Sequence, residues 1–420
     1  MIEHVKNARQ QLFDRMETNS VALFYAGSAP HRTTDQMYPY TPQRNFYYLT
    51  NLNEPNMILM MLKGEKDTKT YLFIEENTDY IIKWVGANME REEASKRSGI
   101  DAKTIFYTKQ FKGMFNQVMN YARSVMGTPP KTLYLDLYHV NPEERPIALD
   151  QASFILDNYK ELTLKAINEH TSYLRMFKSD DEISQIKHAL SHTKKGLETI
   201  MKNAKHRDYE YQLQADFIHS ITFDGSEGYA FDTIAASGKN ATVLHYISNR
   251  DALTKGDLIL FDLGALHENY ASDISRTYPI NGTFTDRQKT LYQIVLDVNK
   301  ATIKEVAPGV TWSHLNQFAK DLLIKKCKAI DLIQSDEEIG ELYYHSIGHF
   351  MGLDVHDVGH YHLPLKPGMV LTIEPGLYIK EEGIGIRIED NILVTEDGYI
   401  NLSEDIIKEV DEIEAFMKQH

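Results

Sequence analysis

Four acidic residues in the C-terminal half of the chain sit where acids are least expected. Asp262 follows Leu258-Ile259-Leu260-Phe261, and Asp273 precedes Ile274-Ser275-Arg276-Thr277-Tyr278. Glu374 ends Val370-Leu371-Thr372-Ile373, and Glu389 closes Ile384-Gly385-Ile386-Arg387-Ile388. Burying an acid among such residues is costly unless something positive meets it. Solvated surface acids are the commoner fate of Asp and Glu, but apolar flanks on both sides argue against that here. Each pair brackets a polar, turn-prone middle, the pattern of a β-hairpin. Residues that face one another across an antiparallel hairpin have a constant index sum. A turn at His267-Glu268 would face Asp262 with Asp273, and one at Glu381-Glu382 would face Glu374 with Glu389, their Cβ atoms about 4.5–5.5 Å apart. Like charges that close repel, and few basic partners are evident. The four carboxylates call for divalent cations.

Between the two hairpins runs His345-Ser346-Ile347-Gly348-His349-Phe350-Met351-Gly352-Leu353-Asp354-Val355-His356-Asp357. Neutral imidazole is the commonest metal ligand and carries protons near neutral pH. A single histidine is more often a satisfied core residue. Three in so short a segment, flanked by carboxylate hairpins, point to a site.

At these residues the chain resembles the pita-bread metallopeptidases, the group that includes methionine aminopeptidase, prolidase and aminopeptidase P. The run from His345 to Asp357 is most similar to the aminopeptidase P (Xaa-Pro aminopeptidase) branch. The resemblance implies five metal ligands, Asp262, Asp273, His349, Glu374 and Glu389, with Asp273 and Glu389 shared between two ions. It implies catalytic or substrate-contacting roles for His245, His345, His356 and Arg387. The implied cofactor is two divalent ions per subunit about 3.5–4 Å apart, and carboxylate-rich ligation suits manganese.

Within that frame Glu374 is the candidate proton carrier. Arg387, two residues before Glu389 and on the same strand face, is a candidate to orient that carboxylate. His345, His356 and Tyr378 are expected to line a pocket for proline. The segment from Phe231 to Asn240, leading to Leu244-His245-Tyr246, matches the family's stretch whose histidine helps hold the scissile carbonyl oxygen. It departs at Phe231, where the family often has tyrosine, so one hydrogen bond near the metals is expected to be lost.

The implied activity is release of the first residue from peptides with proline second, through attack by a hydroxide bridging two metals. Proline removes an N–H and fixes φ, which gives a dedicated enzyme its niche. Prolidase, which cuts only Xaa-Pro dipeptides, is the close alternative. A non-catalytic peptide-binding pita-bread module would have eroded ligands, and a creatinase-like hydrolase works without metal; all five ligand residues are present.

The elements that must position these residues are also readable. Residues 179–182, Ser-Asp-Asp-Glu, form a capping box before Ile183, Ile186, Leu190, Leu197 and Met201. A second box, Thr285 to Gln288, opens a helix through Leu291, Ile294 and Val298, and a third helix follows Thr311. The tail from Ser403 carries Ile406, Val410, Ile413 and Met417 at helical spacing. Helices paired with carboxylate hairpins suggest two similar α/β halves. The N-terminal part has an opening helix with Val5, Leu12 and Met16, strands at 21–25 and 132–137, and a tyrosine-rich stretch from Arg32 to Thr50 similar to the aminopeptidase P N-terminal domain. Methionine aminopeptidases lack such a domain. Trp84 falls where the resemblance implies a tryptophan that reaches a neighbouring subunit's site; a buried core Trp is the equal alternative.

The expected fold is therefore α/β (α+β), with a smaller creatinase/RNase H-like N-terminal domain at residues 1–170 serving oligomerisation and substrate access. A pita-bread catalytic domain is expected at 171–420. A net charge of −15, from 45 basic and 60 acidic residues, disfavours nucleic-acid and anionic-membrane partners. The single cysteine, Cys327, fits a reducing compartment. With no apolar signal segment, the expectation is a cytoplasmic homodimer or homotetramer acting on peptides with an Xaa-Pro N-terminus.

Overall fold

The helix Asp180–Asn203 starts where its capping box dictates: the Ser179 hydroxyl accepts from the Glu182 N–H and the Glu182 carboxylate accepts from the Ser179 N–H. Its apolar face carries Ile186, Leu190, Leu197 and Met201 into the core. It crosses Glu210–Phe223 at Gly196, where a Cβ would lie 2.4 Å from the Phe217 ring. Only glycine allows that approach. In this computed structural model, which describes residues 1–122, 124–139 and 141–420, the chain divides into two compact units, Met1–Arg175 and Met176–His420.

The first unit is built on a six-stranded mixed sheet. Its order from one edge is Ile105–Tyr107, Thr68–Ile74, Ile58–Lys63, Ser20–Tyr25, Thr132–Leu135 and Thr163–Ala166. Alternate residues of the central strands, Val21, Leu23, Leu133 and Leu135, pack with Phe73 and Phe115 in its core. Helix Ile2–Arg15 buries Val5, Leu12 and Phe13. The tyrosine-rich stretch is of two kinds: Arg32 to Pro39 is exposed, whereas helix Arg44–Thr50 buries Phe46, Tyr47 and Tyr48. Trp84, on helix Asp79–Val85, is 73% exposed beside exposed Tyr80 and Val85. It is not a core residue of this unit.

In the second unit the order helix, helix, sheet occurs twice. Helices Asp180–Asn203 and Glu210–Phe223 precede an antiparallel sheet of Ile234–Ser237, Leu258–Leu263 and Ile274–Pro279. Helices Asp286–Lys304 and Trp312–Lys328 precede a sheet of Val370–Ile373, Asp390–Thr395 and Gly398–Asn401, together with the hairpin Gly376–Ile379/Ile384–Arg387. Thr285 and Gln288 form the second capping box. The tail departs from its helical expectation: Ile406 is buried, but the helix begins only at Val410. Among the described residues no helix is long and apolar enough to cross a membrane.

Candidate active site

The two hairpins differ in how closely they follow the expected registers. In the second, Ile373 pairs with Asp390 and Gly376 with Arg387, so Glu374 and Glu389 share the predicted index sum. Both lie at the break between two ladders. Pro375, with no N–H to give, occupies that break. The carbonyls of Ile373 and Ile388, flanking it, are both met by the Asn299 side-chain amide at 3.1 Å.

In the first hairpin the turn lies one residue later than expected. Glu268 and Asn269 take positive φ, 47° and 63°, so His267 pairs with Tyr270 and Asp262 faces Ser275, not Asp273. Two-residue turns of this hand match the twist of the strands. The slip moves each partner by two positions, which keeps Asp262 and Asp273 on one face as diagonal neighbours.

What joins the hairpins is a set of cross-bonds. Glu389 N–H donates to the Ser275 carbonyl at 3.1 Å, and the Asn391 amide brackets Asp273, donating to its carbonyl at 2.6 Å. The histidine segment docks along Val370–Ile373: Thr372 N–H donates to His349 O at 2.9 Å, and Glu374 N–H to Ile347 O at 2.8 Å. Gly348 permits this, since a Cβ there would lie 2.0 Å from the Thr372 carbonyl oxygen. Beneath it Lys178 and Asp357 form a buried ion pair at 3.1 Å.

The result is a cavity of about 280 Å³ lined by His245, Asp262, Asp273, His345, His349, His356, Tyr361, Glu374, Arg387 and Glu389. Nε2 of His349 is 3.3 Å from Asp273 Oδ2 and 3.7 Å from Glu374 Oε1. Its Nδ1 is 3.0 Å from the Phe350 carbonyl. A carbonyl can only accept, so Nδ1 carries a proton, and Nε2 is the ring nitrogen that faces the acids and is placed to ligate a metal.

The electrostatics fit divalent cations. Burial, then the charges of Asp262 and Glu374, hold Asp273 well above the usual carboxylate range. Burial, then Asp273 and Glu374, do the same to Glu389. Glu374 is raised by burial although His349 and Arg387 pull it down. Asp273 Oδ1 and Glu389 Oε1 are buried without a hydrogen-bond partner, and donor atoms of Asp273, His349 and Glu389 lie within 4.8 Å of one another. Orphaned buried oxygens this close to an imidazole nitrogen are the donor set of a hard cation.

Arg387 is placed differently from the expectation that it orients Glu389. Its Nη2 pairs with Asp262 Oδ2 at 2.7 Å, and its Nε donates to Ser275 Oγ at 2.7 Å. The Ser275 hydroxyl in turn lies 2.8 Å from Glu389 Oε2 and 3.1 Å from Asp262 Oδ1. Arg387 thus reaches Glu389 through a serine that sequence reasoning missed, although Ser275 shares a strand face with Asp273.

Tyr378 is buried behind the cavity rather than lining it. Its hydroxyl accepts from Arg387 Nη1 at 3.2 Å and donates to His345 Nε2 at 2.8 Å, while His345 Nδ1 donates to the Ser346 carbonyl at 2.8 Å. Burial and Arg387 push His345 down to about 4, and burial with His349 pushes His356 to about 4. Both imidazoles are neutral at neutral pH. His356 stacks on His349 with ring centroids 3.9 Å apart, and His245 is exposed at the mouth. Phe231 lies beside Gly264, its ring edge 3.2 Å from where a Cβ would sit.

Two further residues carried no local signal. Tyr361 lines the cavity and accepts from the Phe350 N–H at 3.2 Å. Thr372 Oγ1 accepts from His349 N–H at 3.1 Å. Trp84 belongs to the other unit.

Residues 184–396 match the model of metallopeptidase family M24, and residues 5–126 match that of the aminopeptidase P N-terminal domain. The chain belongs to metallopeptidase family M24. It is 30% identical to an Xaa-Pro aminopeptidase of Escherichia coli over 99% of its own length and 97% of that protein's. Among solved structures it is similar to a candidate aminopeptidase P from Bacillus anthracis (TM-score 0.95, 44% identity, 100% and 98% of the two chains). It is also similar to zinc-substituted E. coli aminopeptidase P in complex with product (TM-score 0.89, 29% identity, 100% and 98%). The M24 chain has the mixed α/β pita-bread fold of these neighbours and is a metallopeptidase, a hydrolase.

Proposed function

We propose that this M24 chain is a metal-dependent Xaa-Pro aminopeptidase that releases the N-terminal residue from peptides whose second residue is proline. The observation that carries the reading is its similarity, over 99% of its length, to Xaa-Pro aminopeptidases. That the relatives and solved neighbours are Xaa-Pro aminopeptidases favours this over prolidase.

Two divalent ions, manganese by the hardness of the donors, would be held by Asp262, Asp273, His349, Glu374 and Glu389. When bound, they lower the pKa of the attacking water and polarise the scissile carbonyl. Four carboxylates against the one guanidinium of Arg387 leave a surplus of negative charge that a single divalent ion does not neutralise. Glu374, raised by its burial, takes the proton from water and delivers it to the leaving proline nitrogen. Its Oε1 lies 3.4 Å from the Thr372 hydroxyl, which steadies it.

The imidazoles of His245 and His356 donate to the scissile carbonyl oxygen and the substrate backbone. His345, locked by Tyr378 and Arg387, walls the proline subsite. Trp84 contributes from the N-terminal unit of a neighbouring copy, which makes the active form a homo-oligomer. The lone cysteine, buried Cys327, suits a cytoplasmic location. The test is metal content of the purified protein alongside turnover of a panel of proline peptides: a metal-free active protein, or no turnover of any of them, rejects the reading.

A further inference from the structure

Away from the catalytic cavity, three histidines converge whose chemistry the peptidase reaction does not use. His188 and His192 are four residues apart on helix Asp180–Asn203, a spacing that puts both imidazoles on one face. His267, on the short strand Leu266–His267, meets them with ring centroids 4.8 Å from His188 and 5.4 Å from His192. Nε2 of His192 and Nδ1 of His267 are 3.3 Å apart. Two nitrogens bound to tetrahedral zinc at 2.0–2.1 Å are separated by about 3.3–3.4 Å. These two already stand at that separation.

A second observation points the same way. The other nitrogen of His192, Nδ1, lies 2.6 Å from Asp224 Oδ2, and Lys195 holds the remaining oxygen of that carboxylate. With its Nδ1 proton committed to Asp224, His192 presents Nε2 to His267. A carboxylate behind a histidine is the arrangement that orients metal-ligating imidazoles and raises their basicity. His267 is lowered by burial and by the neighbouring His188 and His192. His188 is exposed; its ring nitrogens do not yet stand within 4.8 Å of both others, so its ring would turn to reach the shared point.

We propose that His188, His192 and His267 bind one zinc ion distinct from the catalytic pair, with Asp224 as the residue that orients His192. The site would clip the helix to the hairpin Leu266–His267/Tyr270–Ala271, which follows the strand bearing Asp262 and leads into Asp273. Three imidazoles with water in the fourth position suit Zn2+ by ligand type and geometry.

The experiment counts zinc bound per chain on the full-length protein after saturation with Zn2+ and removal of free ion. Wild type is expected to hold one equivalent more than His188→Ala and one more than His267→Asn. Asp224→Asn is expected to weaken the additional site about 10–100-fold without abolishing it. The same zinc count in wild type and in folded His188→Ala overturns the proposal and leaves the 3.3 Å contact as an N–H···N hydrogen bond. If His267→Asn does not fold, exposed His188→Ala decides alone. Unchanged zinc affinity in Asp224→Asn overturns the orienting role.

Discussion

Arg387 and Asp262 form an ion pair, Nη2 to Oδ2 2.7 Å, that links the two carboxylate hairpins. Their side chains are only 5% and 16% exposed. A cation of the protein therefore already stands on one of the candidate metal ligands, which makes the site's charge balance testable.

Replacing Arg387 by methionine keeps the volume and leaves Asp262 unpaired among three other acids. Removing one partner of a buried pair costs about 3–5 kcal/mol. Urea unfolding of the metal-free variant is expected to show a loss of that size, narrowed by added manganese. A variant as stable as wild type without metal would mean that the pair does not hold the hairpins together.

Metal removal is expected to abolish turnover, and manganese to restore it. Glu374→Gln keeps the shape of the side chain but cannot take a proton, so kcat should fall by about 10²–10⁴-fold with circular dichroism unchanged. Full turnover after exhaustive chelation, or in the variant, contradicts the two-metal reading.

Arg276 is fully buried and pairs with Asp390 at 2.9 Å, with Lys408 on the other carboxylate oxygen. Burial alone would raise Asp390, but Arg276 and then Lys408 outweigh it and bring the group from 3.8 to about 2. Lys408 is itself lowered by burial, so the depression is credited first to Arg276. A depressed carboxylate stabilises fully above its unfolded value, here by about 2 kcal/mol, and that contribution is lost as pH falls from about 4 through 2. The stability difference between wild type and Asp390→Asn is expected to be flat above pH 5 and to shrink below 4. A difference that grows on acidification would reverse the assignment.

Trp84 and its neighbours Tyr80 and Val85 are exposed on one short helix. Trp84→Ala is expected to weaken cleavage of long peptides more than of tripeptides, and sedimentation of wild type to show a dimer or tetramer. A monomer that is fully active when dilute contradicts this.

How much of this was legible in the sequence varied with how local the cause was. Acids among β-branched residues marked buried strands, and capping boxes at Ser179 and Thr285 marked helix starts within the chain's own local chemistry. The second hairpin's register followed from its turn; the first slipped because Asn269, a residue tolerant of positive φ, belonged inside the turn. Thr372, Asn299 and Arg276 gave no signal, and Ser275 only the strand face it shares with Asp273, since each acts on a backbone or carboxylate group brought to it only by the tertiary fold. Strand alternation points Arg387 toward Glu389, whereas the partner that claims it, Asp262, comes from the other hairpin. The docking of His349 beside Glu374 depends on Gly348, whose missing Cβ matters only once Val370–Ile373 lies against it.

Substrate choice by a metal-loaded exopeptidase is decided by one comparison. With matched manganese, kcat/KM is measured by release of the first amino acid from Xaa-Pro-Yaa, Xaa-Pro and Xaa-Ala-Yaa. Binding energy from a third residue can be used in the transition state, so the tripeptide with proline is expected to exceed the dipeptide. Alanine restores an N–H and loses ring contacts with the His345 wall, at a cost of about 10–200-fold. Preference for the dipeptide would identify a prolidase, and indifference to proline would contradict the assignment altogether.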